Sequence, residues 1–423
     1  MHLRICIVAL NAWPAVQPFG ARRVGGIETN AWTMARSLAA EPSTDVIMVV
    51  RHTRRVPNTS VEGVRIVPVI ERLRELRQRV SQTVEVMDHF PWIRVICWNA
   101  ELLWAIPLLA LARPFHRLSP PPSRLRDCLR RIDADIYVAY GNGRDAATVM
   151  QAAAELHRPG VLWLQANTDI EDSVFGDSES VNKYGERAAD CRAAIETASA
   201  VISQTRWQRD QFLKHVNRAS TIIPNPIDLS AWDCSPRDSL SGEFILWVGR
   251  FDRFHKRPHL CLEIARRCPD IPFRLVINPG EADVETAIRS ACPQNVELID
   301  YVPHDQMPEL FRKARLFLST GSPEFEGFPN VLLESAAVGT PVVSFDDFDS
   351  FFERSSAGRC GKSNLDDTVM HIQTLWRNRE SWLDCSLAGQ EFVQSQHTTD
   401  VVTKAVREVL LRCCQDYVAP ISR

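Results

Sequence analysis

Short apolar runs alternate with segments of helical spacing along nearly the whole chain. A strand is expected at Arg4–Leu10, then a loop holding Gly25-Gly26, then a helix from about Glu28 to Ala40. In that helix Ala31, Met34, Ala35 and Leu38 recur at helical spacing. Val46–Val50 closes a strand–helix–strand unit. Strands follow at Ile136–Ala139, Val161–Leu164, Ala200–Ser203 and Thr221–Ile223. Helices are expected between them, at Ala146–Leu156, Lys183–Ala198 and Trp207–His215.

The rhythm then restarts. Strands are expected at Phe244–Val248, Phe273–Ile277, Val296–Ile299, Leu316–Ser319 and Pro341–Phe345. The intervening helices are Pro258–Arg267, Val284–Ala291, Met307–Ala314 and Asn330–Val338. Alternation of this kind implies parallel sheets covered on both faces. Pro224-Asn225-Pro226-Ile227-Asp228, rich in turn residues, is a hinge candidate. The fold class is therefore α/β, with two Rossmann-like doubly wound domains facing each other across a cleft. The first spans 1–223 and the second 224–395; 396–423 holds an amphipathic helix, Asp400–Cys413, expected to pack across the domain junction. Ligands of open α/β sheets bind at the carboxyl ends of the strands.

Residues 71–131 break the pattern. They hold eleven arginines against six acidic residues, and Trp92–Ala112 is rich in Trp and Leu. Arg94, Glu101 and Pro107 interrupt that run, which argues against a membrane-spanning helix. Two readings stay open: a helical insertion whose apolar face belongs to the core, or a basic, Trp-bearing surface that rests on an anionic membrane.

At 423 residues the chain suits two domains, and its net charge of -3 gives no reason to expect a nucleic-acid partner. Twelve cysteines without metal-site spacing fit reduced thiols. Met1–Leu10 is apolar but lacks a small-residue cleavage site, so it reads as a buried strand and the protein as cytoplasmic.

The candidate chemistry lies in the second half. Glu326 and Glu334 are eight residues apart, across the start of the helix that Pro329 is expected to open at its first position. Asn330 and Val331 would offer free backbone N–H groups at the positive end of that helix, a site suited to a diphosphate. The two carboxylates cannot share one helix face, but they can address two ends of one extended ligand through its hydroxyl groups. Taken singly, Glu326 also reads as a helix-end stabiliser and Glu334 as a solvated helix residue. Arg250 and Lys256 follow the first strand of the second half, where two cations point to a phosphate partner. Only six lysines occur in the chain, which sets Lys256 apart from an ordinary surface lysine. Gly25-Gly26 lets backbone approach a ligand, although a simple turn explains it as well.

Gly25-Gly26, Ile223-Pro224-Asn225-Pro226-Ile227-Asp228, Val248-Gly249-Arg250 with Lys256, and Glu326 with Glu334 ahead of Gly339-Thr340-Pro341-Val342-Val343 stand in this order. This set resembles the GT-B-fold retaining glycosyltransferases of family 4, over residues 3 to about 345 and most strongly from 221 to 343. The resemblance implies metal-independent transfer from a nucleoside-diphosphate sugar, used as co-substrate with no cofactor. The acceptor would be a sugar, a lipid-linked sugar or a small molecule. It assigns Arg250 and Lys256 to the diphosphate, Glu326 to donor-sugar hydroxyls and Glu334 to the ribose. Gly26, with Gly25 beside it, would approach the donor from the first domain. Phe328, Pro329, Asn330 and Val331 would line the donor at the helix start.

The chain departs from that pattern in three places. Gln165 stands where many members carry a His, so it can hydrogen-bond a donor sugar but not titrate. Pro329 replaces a frequent Gly, and Ser344-Phe345-Asp346-Asp347-Phe348-Asp349 replaces a Gly-Gly-x-x-Glu stretch, with no role legible in the residues. His255 reads as incidental. Competing functions are a nucleotide-sugar epimerase and a non-catalytic sugar-nucleotide-binding protein. A dinucleotide oxidoreductase lacks the expected G-x-G-x-x-G after the first strand.

Overall fold

The structure, a computed structural model, describes residues 2–17, 25–52, 59–70, 76, 80, 83–86, 93–95, 98–118, 124–237 and 242–418. Two separate parallel sheets organise it. The first is built from β1 (Leu3–Val8), β2 (Thr44–Arg51), β3 (Thr59–Val61), β4 (Val64–Val69), β7 (Ile136–Tyr140), β8 (Gly160–Trp163), β9 (Ala200–Ser203) and β10 (Thr221–Ile222). Its order is β10-β9-β8-β7-β1-β2-β4-β3, and β3 alone runs antiparallel, against β4. A small ribbon, β5 (Val84–Val86) with β6 (Ile93–Val95), stands apart from it. The helices are α1 (Trp13–Val16), α2 (Gly26–Ala40), α3 (Leu102–Leu118), α4 (Arg124–Leu129), α5 (Arg144–Glu155), α6 (Ala188–Thr197) and α7 (Arg206–Val216). Strands such as Leu3–Val8 and Gly160–Trp163 are buried nearly throughout, as parallel strands covered on both faces must be.

The second sheet comprises β11 (Ile245–Arg250), β12 (Phe273–Asn278), β13 (Val296–Ile299), β14 (Leu316–Ser319), β15 (Val342–Ser344) and β16 (Gly358–Cys360). Its order is β13-β12-β11-β14-β15-β16, every pair parallel. Within the domain that is the strand order 3-2-1-4-5-6, which reverses between β11 and β14 and opens a crevice at their carboxyl ends. The intervening helices are α8 (Pro258–Arg266), α9 (Ala282–Ser290), α10 (Met307–Lys313), α11 (Asn330–Ala337) and α12 (Phe351–Ser355). Three more end the chain: α13 (Leu365–Arg377), α14 (Arg379–Gln396) and α15 (Thr399–Val418).

The backbone passes between the two domains twice, and the crossings are bonded to each other. Ile227 N–H donates to the His397 carbonyl at 2.7 Å, and Ile227 forms a parallel bridge with Thr398. The His397 ring is buried, which lowers its pKa to about 4 and keeps it neutral. Its Nδ1 lies 2.9 Å from the Asn225 carbonyl and donates to it, since a carbonyl only accepts. Beyond this point α15 returns to the first domain. Val402, Val406 and Leu410 join the core formed by Ala31, Met34 and Ala35 of α2.

One predicted helix is shorter than expected. Residues 183–187 are not helical; Gly185 takes φ +79°, and Asn182 Oδ1 accepts from the N–H groups of Tyr184 and Glu186. An Asn-headed turn of this kind competes with helix formation. It leaves Lys183 and Tyr184 projecting toward the second domain.

Candidate active site

The crevice between β11 and β14 gathers the predicted cations and carboxylates. Arg250, the last residue of β11, is half exposed and holds Asp252 at 2.9 Å and 2.7 Å. Burial opposes ionisation of Asp252. Hydrogen bonds from the His255 ring and backbone, with Arg250 alongside, nevertheless hold its carboxyl well below the usual range. Lys256 closes the same turn, and its Nζ lies 2.6 Å from Glu326 Oε1, both side chains largely buried. Glu326 comes from the loop after β14, so the ion pair spans the point where the strand order reverses.

Pro329 is the N-cap of α11 rather than its first helical residue, with φ -70° and ψ 120°. The fixed ring φ suits both positions, and the extended ψ places Pro329 outside the helix. Asn330 therefore opens α11, and its side chain is already engaged. Asn225 Nδ2 donates to Asn330 Oδ1 at 2.8 Å, and Asn330 Nδ2 donates to Asn30 Oδ1 at 2.9 Å. A line of three asparagines thus joins the hinge, the start of α11 and α2 of the first domain. The Phe328 ring packs on Phe351 and His397, and its carbonyl accepts from Asn225 at 3.0 Å. Val331 packs against the second-domain core. Glu334, one turn into α11, forms no side-chain hydrogen bond among the described residues. Burial raises its pKa to about 7, opposed by the nearby Lys256 charge. The residue as a whole is of intermediate exposure.

On the first-domain side, Gly25 caps α2 and Gly26 is its first residue. A Cβ on Gly26 would stand 3.5 Å from Asn330 Nδ2, so the two helix starts face each other across the cleft. The Glu28 carboxyl folds back over Gly25, and burial raises its pKa. Gln165 follows β8 and is buried in a cluster of amides. Gln204 Nε2 donates to Gln165 Oε1 at 2.8 Å, and the Gln165 N–H donates to Asp169 at 2.6 Å. Gln208 Oε1 accepts the Gln204 N–H, and Gln208 Nε2 reaches Asn167. Asn167 in turn donates to the Pro323 carbonyl of the second domain at 2.7 Å. Gly327 lies on this cluster, where a Cβ would come within 2.8 Å of both the Gln165 carbonyl oxygen and Gln204 Oε1.

Lys256, Glu326 and Glu334 are thus drawn together, with Arg250 on the adjoining strand end. Gly26 faces Asn330, and Gln165 faces Gly327. Several partners were not legible in the sequence. Tyr184 Oη lies 3.1 Å from His255 Nε2, so His255 links Asp252 to a first-domain side chain. Lys183 pairs with Glu324 and sits 4.0 Å over the Phe325 ring. The unread stretch Ser344–Asp349 also has a role. Asp346 pairs with Arg257 at 2.5 Å, while Asp349 Oδ1 accepts the Arg206 N–H at 2.6 Å and so caps α7 of the other domain. Asp349 and Ser350 both take positive φ to do so. The only advance signal was their polarity beside a strand end.

Solved structures share this architecture. Sucrose-phosphate synthase from Thermosynechococcus elongatus superposes with a TM-score of 0.66 at 14% identity, covering 98% of this chain and 100% of that one. Anabaena HepE in complex with UDP-glucose gives 0.62 at 15% identity, over 97% and 100%. The trehalose-6-phosphate phosphatase N-terminal domain of Candida albicans gives 0.67 at 12% identity, over 98% and 97%. The chain has the GT-B fold. Within it, residues 242–376 of the second GT-B domain match the family described as Glycosyl transferases group 1. Arg250, Lys256, Glu326 and Glu334 all fall inside that match. An exopolysaccharide phosphotransferase of Streptomyces coelicolor is 26% identical over 333 residues, 76% of this chain. The chain spans about a third of that relative's length (32%). Among the described residues no helix is long and apolar enough to cross a membrane.

Proposed function

We propose that the chain is a retaining glycosyltransferase that moves a sugar from a nucleoside-diphosphate sugar to an acceptor in glycan, glycolipid or metabolite synthesis. The observation that carries this reading is the buried Lys256–Glu326 pair at the β11/β14 crevice, with the unpartnered Glu334 beside it. Arg250 and Lys256 take the diphosphate and stabilise the charge that develops as the sugar leaves. Fixed cations in a cleft perform this without a metal. Glu326, shared between Lys256 and the donor, accepts from sugar hydroxyls, and Glu334 accepts from the ribose. Gly26 and the free N–H groups at the start of α11 meet the phosphates from the two sides. Gln165 adds an uncharged hydrogen bond on the first-domain face. Retention of anomeric configuration follows from the resemblance of the motifs to family 4. The acceptor enters on the first domain, and the exopolysaccharide relative makes a polysaccharide or its lipid-linked precursor the first acceptor to try. The described cysteines are free, which supports a reducing, cytoplasmic setting.

A thermal-shift screen of nucleoside-diphosphate sugars tests donor use, starting with UDP-glucose. A donor at a hundred times its Kd adds about 2.7 kcal/mol of stability by mass action. Lys256→Ala and Glu326→Ala should abolish transfer, and because each leaves the other member of a largely buried pair unmatched, each should also lower the melting temperature. Turnover near the parent level in either variant removes that residue from the site.

A further inference from the structure

We infer that Tyr184 receives the acceptor hydroxyl and relays its proton to His255, which Asp252 holds ready for it. This deepens the glycosyltransferase reading and rests on it. Asp252, His255 and Tyr184 form one line from the turn after β11 to the first domain. Asp252 Oδ1 accepts the N–H groups of Phe254 at 3.0 Å and His255 at 2.6 Å, and Arg250 donates to Oδ2 at 2.9 Å. Those bonds keep the carboxylate ionised, and a carboxylate can only accept. His255 Nδ1, 3.2 Å from Asp252 Oδ1, therefore carries the ring proton. That leaves a lone pair on Nε2, and the Tyr184 hydroxyl donates to it across 3.1 Å. A carboxylate behind an imidazole fixes its tautomer and stabilises the imidazolium that forms.

The Tyr184 oxygen is also able to accept. Partial burial and the charge of Asp169 raise its pKa, so it keeps a proton to give to His255. No hydrogen bond is donated to the oxygen among the described residues. Tyr184 is 52% exposed, so a molecule in the cleft can reach it. Thr168 Oγ1 lies beside that oxygen but outside hydrogen-bonding geometry, and it is fully buried without a partner. Buried hydroxyls seldom stay unpaired, and an acceptor hydroxyl arriving at Tyr184 would pair this one. The charges of Arg250 and Glu326 also reach Tyr184, which sets it beside the groups assigned to the diphosphate and the donor sugar.

In transfer the acceptor oxygen bonds to C1 of the sugar as the C1–O bond to the diphosphate breaks, its electron pair leaving with the diphosphate. The acceptor proton passes to the Tyr184 oxygen and the phenolic proton to His255 Nε2; the imidazolium later gives it to water. Tyr184 touches the substrate, while His255 and Asp252 position it and hold the proton. The other charged groups around the line are Arg250 and Lys256 on its own turn, Lys183 beside Tyr184, Glu324 and Glu326 on the loop after β14, and Asp169 across the cleft.

The test has two arms. Nitrogen NMR of the full chain with labelled histidine, His255 being assigned by its loss in His255→Gln, should show the Nδ1–H tautomer above neutral pH. The Nε2–H tautomer overturns the inference. Release of UDP from UDP-glucose, or of the nucleotide from whichever donor stabilises the chain, is then followed from about pH 5 to 9. The parent should lose kcat toward acid pH as the ring protonates. His255→Gln keeps an acceptor for Tyr184 but cannot titrate. It should lower kcat at least about 100-fold, abolish the acid limb and leave donor KM and melting temperature unchanged, and Tyr184→Phe should do the same. Parent-level kcat in either variant, or a loss confined to KM with the acid limb kept, overturns the inference and leaves the glycosyltransferase reading standing. A parent chain that turns over no donor refutes that reading, and this inference with it.

Discussion

Gly327 offers a way to separate domain closure from donor chemistry. An alanine there places its Cβ 2.8 Å from the Gln165 carbonyl oxygen, 2.8 Å from Gln204 Oε1 and 3.1 Å from Gln208 Nε2. The two glutamine ends can swing aside. The Gln165 oxygen is backbone, on a residue fixed by β8 and by its bond to Asp169. Ordinary contact needs about 3.5 Å or more, so the loop after β14 must retreat by roughly 0.7 Å or the domains must open. Overpacking of this size costs about 1–3 kcal/mol. All three atoms the methyl meets belong to the opposite domain, so the cost falls on closure and not on the folding of either domain. Gly327→Ala should therefore lower kcat/KM by about 5- to 150-fold and leave the melting temperature nearly unchanged. Solution scattering should report a larger radius of gyration. Parent-level kcat/KM with an unchanged radius would show that the observed closure is not the catalytic one.

Two further expectations follow from the same interface. Glu334, with its pKa raised to about 7, keeps a proton that the unfolded chain releases near about 4.3. Its contribution is intact below the unfolded value and is lost as pH rises through about 7, because the unfolded state binds fewer protons across that window. Glu334→Gln should melt higher than the parent above neutral pH, with the gap closing toward pH 4; a gap independent of pH refutes the assigned burial. Asp349→Ala removes the acceptor for the first N–H groups of α7, where Thr205 stays as the N-cap, and leaves Arg354 without its 2.9 Å partner. The loss should be about 1–2 kcal/mol in denaturant unfolding. Asp349→Asn, which keeps an acceptor oxygen, should recover much of it.

The strand–helix alternation made the two sheets legible, because buried parallel strands must be apolar nearly throughout and the helices between them carry a 3.6-residue period. The donor-side residues were legible for a different reason. Arg250, Lys256, Glu326 and Glu334 are charged groups at strand ends and helix starts, where folding alone gives them little purpose. What stayed hidden depends on contacts between distant parts of the chain. Asn30 and Asn330 are 300 positions apart, and no local pattern announces that their side chains meet. Tyr184 was assigned to a helix because its neighbours have helical spacing; the Asn182 turn that frees it toward His255 is a side-chain effect. Pro329 was misplaced by one position because proline φ suits the cap and the first turn alike. The 71–131 segment left two readings open because an apolar helix face looks the same in sequence whether it meets protein or lipid.

The return of α15 to the first domain also bears on how the molecule is made. Val402, Val406 and Leu410 belong to the same core as β1 and α2, although nearly the whole chain separates them. During synthesis the first domain emerges before the second but lacks one wall of its core until α15 leaves the ribosome. The second domain, contiguous from β11 to α14, can close on itself before that. Of the two domains, the one translated first is therefore completed second. A nascent chain stopped before Thr399 would expose the apolar surface of α2 to any chaperone at hand.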